Sequence, residues 1–266
     1  MTHSESLSSL MQAAAEVARA AGEVALSYFR SPRLQVKSKA DGSPVTNADL
    51  ASEEVAREWI RARFPADGIL GEEAGEEQPK AARRWLLDPI DGTRTFVRGV
   101  PLWGTLVAIV EGDVVLAGAA NFPALNELIC AAPEEGCWAN GERTAVSSIG
   151  RLSDALVLTT DETFSAFPAR RRQWLNLEKQ SGMCRSWGDC YGYLLVATGR
   201  AEAMVDPKLS EWDAAALLPI VEEAGGAFTD WDGHRRITGA SAIATNRALA
   251  QTVRTALASP LSGGRE

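Results

Sequence analysis

Apolar positions recur at helical spacing through the N-terminal part of the chain. Between residues 7 and 29 they return every three or four residues for about six turns, which predicts a long amphipathic helix ended at Ser31-Pro32. A second helix is predicted from near Thr46 to just before Pro65, because its apolar side chains also fall on one face. The polar stretch between the two helices is typical of a loop.

The period of the pattern then changes to that of strands. Strands are predicted over residues 67–73, 84–90, 105–123 and 126–132, with hairpin turns at residues 111–113 and 140–141. From about residue 161, helices and strands alternate up to a last helix near residues 247–257, and the tail from Ser259 is predicted to fray.

This order of elements indicates stacked layers of helices and sheets, in a mixture of α+β and α/β organisation. The chain carries no linker-like or repetitive segment, so residues 1–266 are predicted to form a single unit. Its two halves, about 1–150 and 151–260, are expected to pack directly against each other. The first half would carry a metal site, and the second half a segment that sets substrate specificity.

Charge and composition exclude several classes of function. A net charge of −8 argues against a nucleic-acid partner, which normally meets a basic face. No apolar run has transmembrane length and no secretory signal is visible, so we expect no membrane association and a cytoplasmic location. The four cysteines lack CxxC spacing, which favours reduced thiols over a zinc site or a disulfide framework.

Carboxylates recur where apolar segments end. Asp88 and Asp91 follow "WLL" in the stretch "WLLDPIDGTRTF", and Glu72 follows "GIL" and a glycine. Asp213 follows a tryptophan at a predicted helix start, and Asp49 lies at the start of the second helix. Like charges gathered at the edge of a core repel one another and lose hydration. Such oxygen ligands suit Mg²⁺, and two-metal sites are common in phosphatases.

The residues around the second of these aspartates suggest how such a site would work. Pro89 breaks the strand, so Asp91 is expected to come round to the side of Asp88, where one carboxylate could bridge two ions. Gly92 lets the backbone approach a phosphate closely, and N–H groups at a helix start bind anions. The Thr93 hydroxyl could orient a water while Asp49 accepts its proton.

Each of these residues also has a purely structural interpretation. Asp91 or Thr93 could cap the following helix, and "GEEAGEEQ" could be a solvated acidic loop. Asp49 and Asp213 each lie three residues after a threonine or serine, which matches a capping box. The joint presence of all these carboxylates in one order along the chain favours a site.

That order resembles the inositol-monophosphatase-like superfamily of Mg²⁺-dependent phosphatases. The resemblance rests on "GILGEE", "WLLDPIDGTRTF" and "SEWDAAALLPIVEEAGG", and extends from "VTNAD" to "AIATN". It implies a layered αβαβα sandwich, a small phosphate monoester as substrate, and a homodimer, for which the eight tryptophans could supply exposed surface.

The resemblance also implies roles for individual residues. Glu72, Asp88 and the Ile90 carbonyl would hold one Mg²⁺, and Asp88, Asp91 and Asp213 a second, with two or three ions per site. Lys37 or Lys39 and Asp41 match family positions only loosely. The implied catalytic residues are Asp49, Glu72 and Thr93. The candidate substrate-binding residues are Asp91, Gly92, Thr93, Arg94, Arg185, Asp189 and Asp213.

Within the superfamily, "CRSWGDCYGYLLVATGRAEAMVDPKLSEWDAAAL" is most similar to the histidinol-phosphate phosphatases. Inositol-specific members usually carry a histidine where this chain has Arg98. The amine and imidazole of histidinol phosphate can both be cationic, so its pocket needs carboxylates beyond the metal ligands. Asp189 and Glu211 are candidates, while Arg185 could contact the phosphate or orient Asp213.

The leading expectation is a Mg²⁺-dependent phosphomonoesterase that converts L-histidinol phosphate to L-histidinol in histidine biosynthesis. The first alternative is an inositol-1-monophosphatase. Another sugar or nucleotide phosphatase is a further alternative, although no adenine-binding insertion is visible. The non-enzymatic alternative is a metal-binding scaffold that kept the fold.

Overall fold

The structure is a computed structural model, and it describes residues 5–258. The tail from Ser259, predicted above to fray, lies outside the described residues. The helices are α1 (Leu7–Tyr28), α2 (Asn47–Arg63), α3 (Thr93–Val97), α4 (Pro168–Glu178), α5 (Asp189–Ala197), α6 (Glu211–Glu223) and α7 (Ala250–Ala258). None of the helices in this part of the chain is both long and apolar enough to cross a membrane.

Most strands follow the predicted segments, but Val36–Ser38 and Pro44–Thr46 pair as a short hairpin in the stretch that the sequence predicted to be a loop. The strands are β1 (Val36–Ser38), β2 (Pro44–Thr46), β3 (Gly68–Gly71), β4 (Gly75–Glu77), β5 (Arg83–Asp91), β6 (Gly104–Glu111), β7 (Val114–Phe122), β8 (Glu127–Ala132), β9 (Gly136–Ala139), β10 (Glu142–Arg143), β11 (Leu156–Leu158), β12 (Met183–Arg185), β13 (Ala203–Asp206), β14 (Ala227–Thr229) and β15 (Ala242–Thr245). The hairpin turn predicted at Asn140-Gly141 joins β9 to β10, with positive φ at both residues.

Two sheets organise the chain. The first has eight strands in the order β10-β9-β8-β7-β6-β5-β3-β4, and all its neighbours are antiparallel except β3 and β5. The second has five strands in the order β12-β11-β13-β15-β14, with β11 parallel to both of its neighbours. A two-stranded hairpin, β1-β2, stands apart from both.

Helices cover the sheets on both faces and fill the space between them. The helices α1 and α2 pack on one face of the first sheet, and α6 packs on its other face. The helices α5 and α6 also contact the second sheet, whose far side is covered by α4 and α7. The five layers are therefore α, β, α, β and α, and the predicted layered sandwich is confirmed.

A small aromatic core supports the end of β5. Phe29, Phe96 and Trp103 contact one another around the buried Ile90. The expectation that the tryptophans supply exposed surface is wrong for most of them. Within residues 5–258, Trp187 alone among the eight is exposed. Burial of large aromatic rings in these cores is the ordinary hydrophobic outcome.

Candidate active site

The end of β5 brings Asp88 and Asp91 to one side of the sheet. In a regular strand, residues three positions apart face opposite sides. Here the pairing of β5 with β6 is interrupted between Asp88 and Asp91, at Pro89, and the Ile90 N–H donates to Asp88 Oδ1 at 2.9 Å. This irregularity turns the Asp91 side chain toward the side of the sheet that Asp88 faces, as a β-bulge does. Carboxylate oxygens of Asp88, Asp91 and Asp213 lie within 4.8 Å of one another, as the sequence predicted.

Asp213 caps a helix and also belongs to the acid cluster. It is residue N3 of α6 in a capping box with Ser210, whose N–H donates to Asp213 Oδ2 at 3.0 Å. Its other oxygen, Oδ1, is buried and has no hydrogen-bond partner among the described residues. A buried acceptor left without a donor is unfavourable, so this oxygen is suited to binding a cation.

Asp49 repeats this arrangement at the start of α2. Its Oδ2 accepts hydrogen bonds from the N–H and the hydroxyl of Thr46 in a capping box. Its Oδ1 lies 3.4 Å from the Thr93 hydroxyl oxygen, which is also 3.0 Å from the Ile90 carbonyl oxygen. The predicted pairing of Asp49 with Thr93 is therefore present. Gly92, just before Thr93, has a φ of +85°, which favours glycine.

The acid cluster is electrostatically unfavourable by itself. Burial, followed by the charges of Glu72 and Asp213, raises the pKa of Asp88 well above its usual range. Burial and the charges of Asp213 and Asp189 do the same to the pKa of Asp91. Burial raises the pKa of Asp213 to about 7 and also raises the pKa of Asp49. A set of carboxylates that cannot all ionise unaided fits the hard divalent cations that oxygen ligands bind.

Glu72 lies next to this cluster and is held by a lysine. Lys39 Nζ lies 2.8 Å from Glu72 Oε1 and 2.7 Å from Glu73 Oε1, so one ammonium group bridges the two side chains. Burial alone would lower the pKa of Lys39, but its two carboxylate partners raise it. Burial also raises the pKa of Glu73 to about 7. Of the loosely matched loop residues, Lys39 thus reaches the site, whereas Asp41 bonds Ser43 within its own loop.

A cavity of about 890 Å³ opens beside the cluster. Asp91 and Asp213 line it together with three further carboxylates, those of Asp161, Asp189 and Asp206. Its cationic lining residues are Arg94, Arg98 and Lys208, and its aromatic ones are Phe164 and Phe167. A cavity of this size accommodates a small organic molecule.

Asp189 is anchored in this cavity. Its Oδ2 accepts a hydrogen bond from the Thr95 hydroxyl at 3.0 Å, and its N–H donates to Thr160 Oγ1 at 2.9 Å. Burial raises its pKa, while Thr95 and Arg94 oppose the rise. Asp189 also has a positive φ of 50°, an uncommon conformation for a residue with a side chain. The side chain of this predicted substrate-binding residue therefore faces the space next to Asp91.

Arg185 lies elsewhere. It is exposed on the edge strand β12, it does not line the cavity, and its guanidinium donates to the Cys184 carbonyl oxygen at 2.7 Å. The structure therefore does not bring Arg185 together with the other candidate residues, whereas Arg94 does line the cavity.

Sequence reasoning missed Asp206, although a signal was present. Asp206-Pro207 ends the buried strand β13 after "AMV", just as Asp88-Pro89 follows "WLL" in β5. Its Oδ1 accepts the Thr160 N–H at 3.1 Å, and its Oδ2 accepts the Tyr193 hydroxyl at 3.0 Å. Asp161 and Lys208 were also missed, because no spacing in the sequence distinguishes them from ordinary surface charges. Arg98 was noted only as a marker of the subfamily and not as a residue of the cavity.

Comparisons with known proteins find a matching family model and similar relatives. The model of the family described as "Inositol monophosphatase family" matches residues 6–261. A histidinol-phosphatase of Chlorobaculum parvum is 45% identical over 245 residues, covering 91% of this chain and 94% of the relative. A histidinol-phosphatase of Mycobacterium tuberculosis is 38% identical over 89% of this chain and 93% of its own length.

A solved structure supports the fold in the same way. The extragenic suppressor protein SuhB of Bartonella henselae superposes with a TM-score of 0.89 at 27% identity, covering 94% of this chain and 98% of that one. Together with the match over nearly the whole sequence and the layered fold, these findings show that the chain belongs to the inositol monophosphatase family and is a phosphatase.

Proposed function

We propose that this phosphatase hydrolyses L-histidinol phosphate to L-histidinol and inorganic phosphate, in a Mg²⁺-dependent reaction of histidine biosynthesis. The observation that carries the proposal is the cavity that joins the acid cluster to Asp161, Asp189 and Asp206. A cationic alcohol is the leaving group that such carboxylates favour. The names of the two relatives described above support the same substrate.

Two or three Mg²⁺ ions are proposed to bind at the end of β5. Glu72, Asp88 and the Ile90 carbonyl would hold one ion, and Asp88, Asp91 and Asp213 another. The unpartnered Asp213 Oδ1 and the raised pKa values of the cluster support a cationic ligand there. When bound, Mg²⁺ offsets the carboxylate charge and stabilises negative charge on the phosphoryl oxygens. For Glu72 to bind an ion, the Lys39 ammonium would have to yield part of its contact.

The protein's own groups would orient the water and the phosphate. The Thr93 hydroxyl, 3.4 Å from Asp49 Oδ1, is positioned to accept a hydrogen bond from the attacking water and pass its proton toward that carboxylate. The pKa of Asp49 is raised by burial, which makes it a better base than an exposed aspartate. Glu72 could help to orient the same water. The backbone N–H groups at Gly92 and Thr93, assisted by Arg94, would bind the phosphate.

Asp189 is proposed to recognise the cationic end of the leaving group. Its carboxylate is held by Thr95 at the cavity wall, so the side chain loses little conformational freedom when a ligand binds. Arg185 has no part in this scheme, because it does not line the cavity.

A substrate panel tests the proposal. The full chain would be freed of metal with EDTA, and phosphate release measured with and without Mg²⁺ and Li⁺ on histidinol phosphate, myo-inositol 1-phosphate, a sugar phosphate and 3′-phosphoadenosine 5′-phosphate. We expect activity only with Mg²⁺, and far faster turnover of histidinol phosphate than of the other esters. Preference for inositol phosphate would assign the first alternative, and metal binding without turnover of any ester would favour a scaffold.

We also infer a cytoplasmic homodimer. The four cysteines are all free thiols, which suits a reducing compartment. Sedimentation velocity of the purified chain should give twice the monomer mass, and a monomer at micromolar concentration would contradict the dimer.

A further inference from the structure

We propose that Glu53, on α2, is a positioning residue for the turn that carries Glu72. The inference rests on the proposed metal-dependent function and deepens it. Glu53 is 2% exposed, so its charge is held inside the protein. Burying a carboxylate is costly unless its oxygens are paired. The partners of this carboxylate therefore indicate what it does.

Two of the partners are backbone groups of the turn between β3 and β4. Glu53 Oε2 accepts the Glu73 N–H at 2.8 Å, and Oε1 accepts the Ala74 N–H at 3.0 Å. Pairing of β3 with β4 runs to Gly71 and Gly75, so the turn consists of residues 72–74. Its remaining N–H, that of Glu72, donates to the Leu87 carbonyl oxygen at 3.1 Å. One carboxylate thus fixes two of the three N–H groups in the turn.

The turn is shaped around this carboxylate. A Cβ atom added at Gly71 would lie 2.2 Å from Glu53 Oε1, which is far inside contact distance. The glycine of "GILGEE" therefore leaves the space that the Glu53 carboxylate fills, immediately before the proposed ligand Glu72. A side chain at this position would displace either the carboxylate or the turn.

Arg57 is the second buried side chain that holds this turn. It is 3% exposed and lies one helical turn after Glu53, and its Nε donates to Glu53 Oε1 at 2.8 Å. Its other nitrogens donate to the Gly75 carbonyl oxygen and to Glu77 Oε2. The pair therefore holds the backbone from Glu73 to Gly75. Lys39 bonds the side chains of Glu72 and Glu73.

This arrangement predicts an effect on metal affinity rather than on chemistry. Groups that orient a metal ligand typically change metal affinity by about 10- to 100-fold when they are replaced. The competing interpretation is that the Glu53–Arg57 pair only attaches α2 to the sheet. In that case its loss would lower stability without changing the affinity of the folded protein for metal.

The test is Glu53→Gln, which keeps the shape of the side chain but turns an amide N–H₂ toward one of the backbone donors. Mn²⁺ would be titrated into metal-free full-length protein without substrate, and free Mn²⁺ followed by electron paramagnetic resonance. We expect Mn²⁺ binding to weaken by about 10- to 100-fold. The Mg²⁺ concentration for half-maximal activity should rise accordingly, while kcat at saturating Mg²⁺ changes far less.

Asp67→Asn is the matched control. Asp67 is also a buried carboxylate paired with an arginine, it precedes β3 at the opposite end from Glu72, and its Oδ2 accepts bonds from Arg83 at 2.7 Å and Trp85 at 2.8 Å. The Asp67→Asn variant should be less stable than wild type but should bind Mn²⁺ with the same affinity.

Equal Mn²⁺ affinities of the Glu53→Gln and Asp67→Asn proteins would overturn the positioning role. If Glu53→Gln does not fold, Glu53→Asp, which withdraws the same charge by one methylene, is held to the same criterion. Absence of Mn²⁺ binding by the wild-type chain would instead overturn the proposed metal-dependent function, and this inference with it.

Discussion

At the scale of single residues, the site uses carboxylates that do two jobs at once. In both Asp49 and Asp213, one carboxylate oxygen accepts a hydrogen bond at a helix cap. The other oxygen lies near Thr93 in Asp49 and in the acid cluster in Asp213. A capping box fixes the side-chain rotamer, so the second oxygen is held in place without further contacts. The capping interpretation of these residues is therefore confirmed, and it does not conflict with the proposed chemical role.

Asp91→Asn tests the two-metal role at this scale. The change keeps an acceptor for the Cys190 N–H, which now bonds Asp91 Oδ2, but it removes one buried negative charge. We expect kcat for phosphate release to fall by at least about 10²-fold, the scale for loss of one preorganised electrostatic group. The metal-free variant should unfold at a higher temperature than metal-free wild type, because like charges are relieved. A near-normal rate would count against the role.

Thr93→Val separates water activation from substrate binding. The variant lacks the hydroxyl between Asp49 and the Ile90 carbonyl, so kcat should drop by about 10²- to 10⁴-fold with little change in KM. Thr95→Val is the matched control, because its hydroxyl bonds Asp189 instead. Steady-state kinetics should show mainly a higher KM for the control. Similar losses of kcat in both variants would mean that the Thr93 hydroxyl does not activate the water.

At the scale of elements, the decisive feature is the end of β5 and the turn that follows it. The irregular pairing at Pro89 sets the facing of the two aspartates, and the left-handed Gly92 starts α3 next to Asp189. The aromatic core of Phe29, Phe96 and Trp103 packs around Ile90 and supports this segment. The geometry of the site is thus built into a strand end rather than a free loop, which favours precision.

Gly92→Ala tests the turn. A Cβ there would lie 3.0 Å from Asp189 Oδ2, and the φ of +85° is itself costly for alanine, by about 1–2 kcal/mol. Gly141→Ala has nearly the same φ, +82°, but meets nothing within 4 Å. Urea unfolding should show a loss of stability in both variants, at least as large in Gly92→Ala, whereas phosphate release should fall strongly only in Gly92→Ala. Retained activity in Gly92→Ala would contradict the close packing.

At the scale of the whole molecule, the site forms where distant parts of the chain meet. The start of α2, the end of β5, the start of α5 and the start of α6 all contribute, and the cavity reaches β13 of the second sheet. Asp206 links that sheet to α5 through Tyr193. Its burial gives the protein a pH-sensitive contribution to stability, since burial raises its pKa from 3.8 to about 7.

Asp206→Asn isolates that contribution. The amide can still accept the Thr160 N–H and face the Tyr193 hydroxyl, but it cannot ionise. A raised folded-state pKa stabilises the protein fully below about pH 4, and this stabilisation is lost as the pH rises through about 7. From pH 4.5 to 8, urea unfolding should therefore show wild type losing stability relative to the variant, by about 3 kcal/mol. A difference that does not vary with pH would contradict this.

Local patterns predicted the elements well. The helical period over residues 7–29 corresponds to α1, and the capping signals at Thr46 and Ser210 mark where α2 and α6 begin. Each of these signals lies within a few neighbouring residues, whose hydrogen bonds are formed locally. The Asp88–Asp91 pair was likewise predicted from its spacing around Pro89.

Several long-range contacts could not be predicted in this way. Lys39 bonds Glu72, and Glu53 bonds the β3–β4 turn, although each pair is far apart in sequence. Likewise, Asp206 lines the cavity and Arg185 does not. The sequence by itself determined which residues could ionise, cap or bind. Packing of the layers decided which of them meet, because contacts between distant segments depend on how whole elements bury their apolar faces.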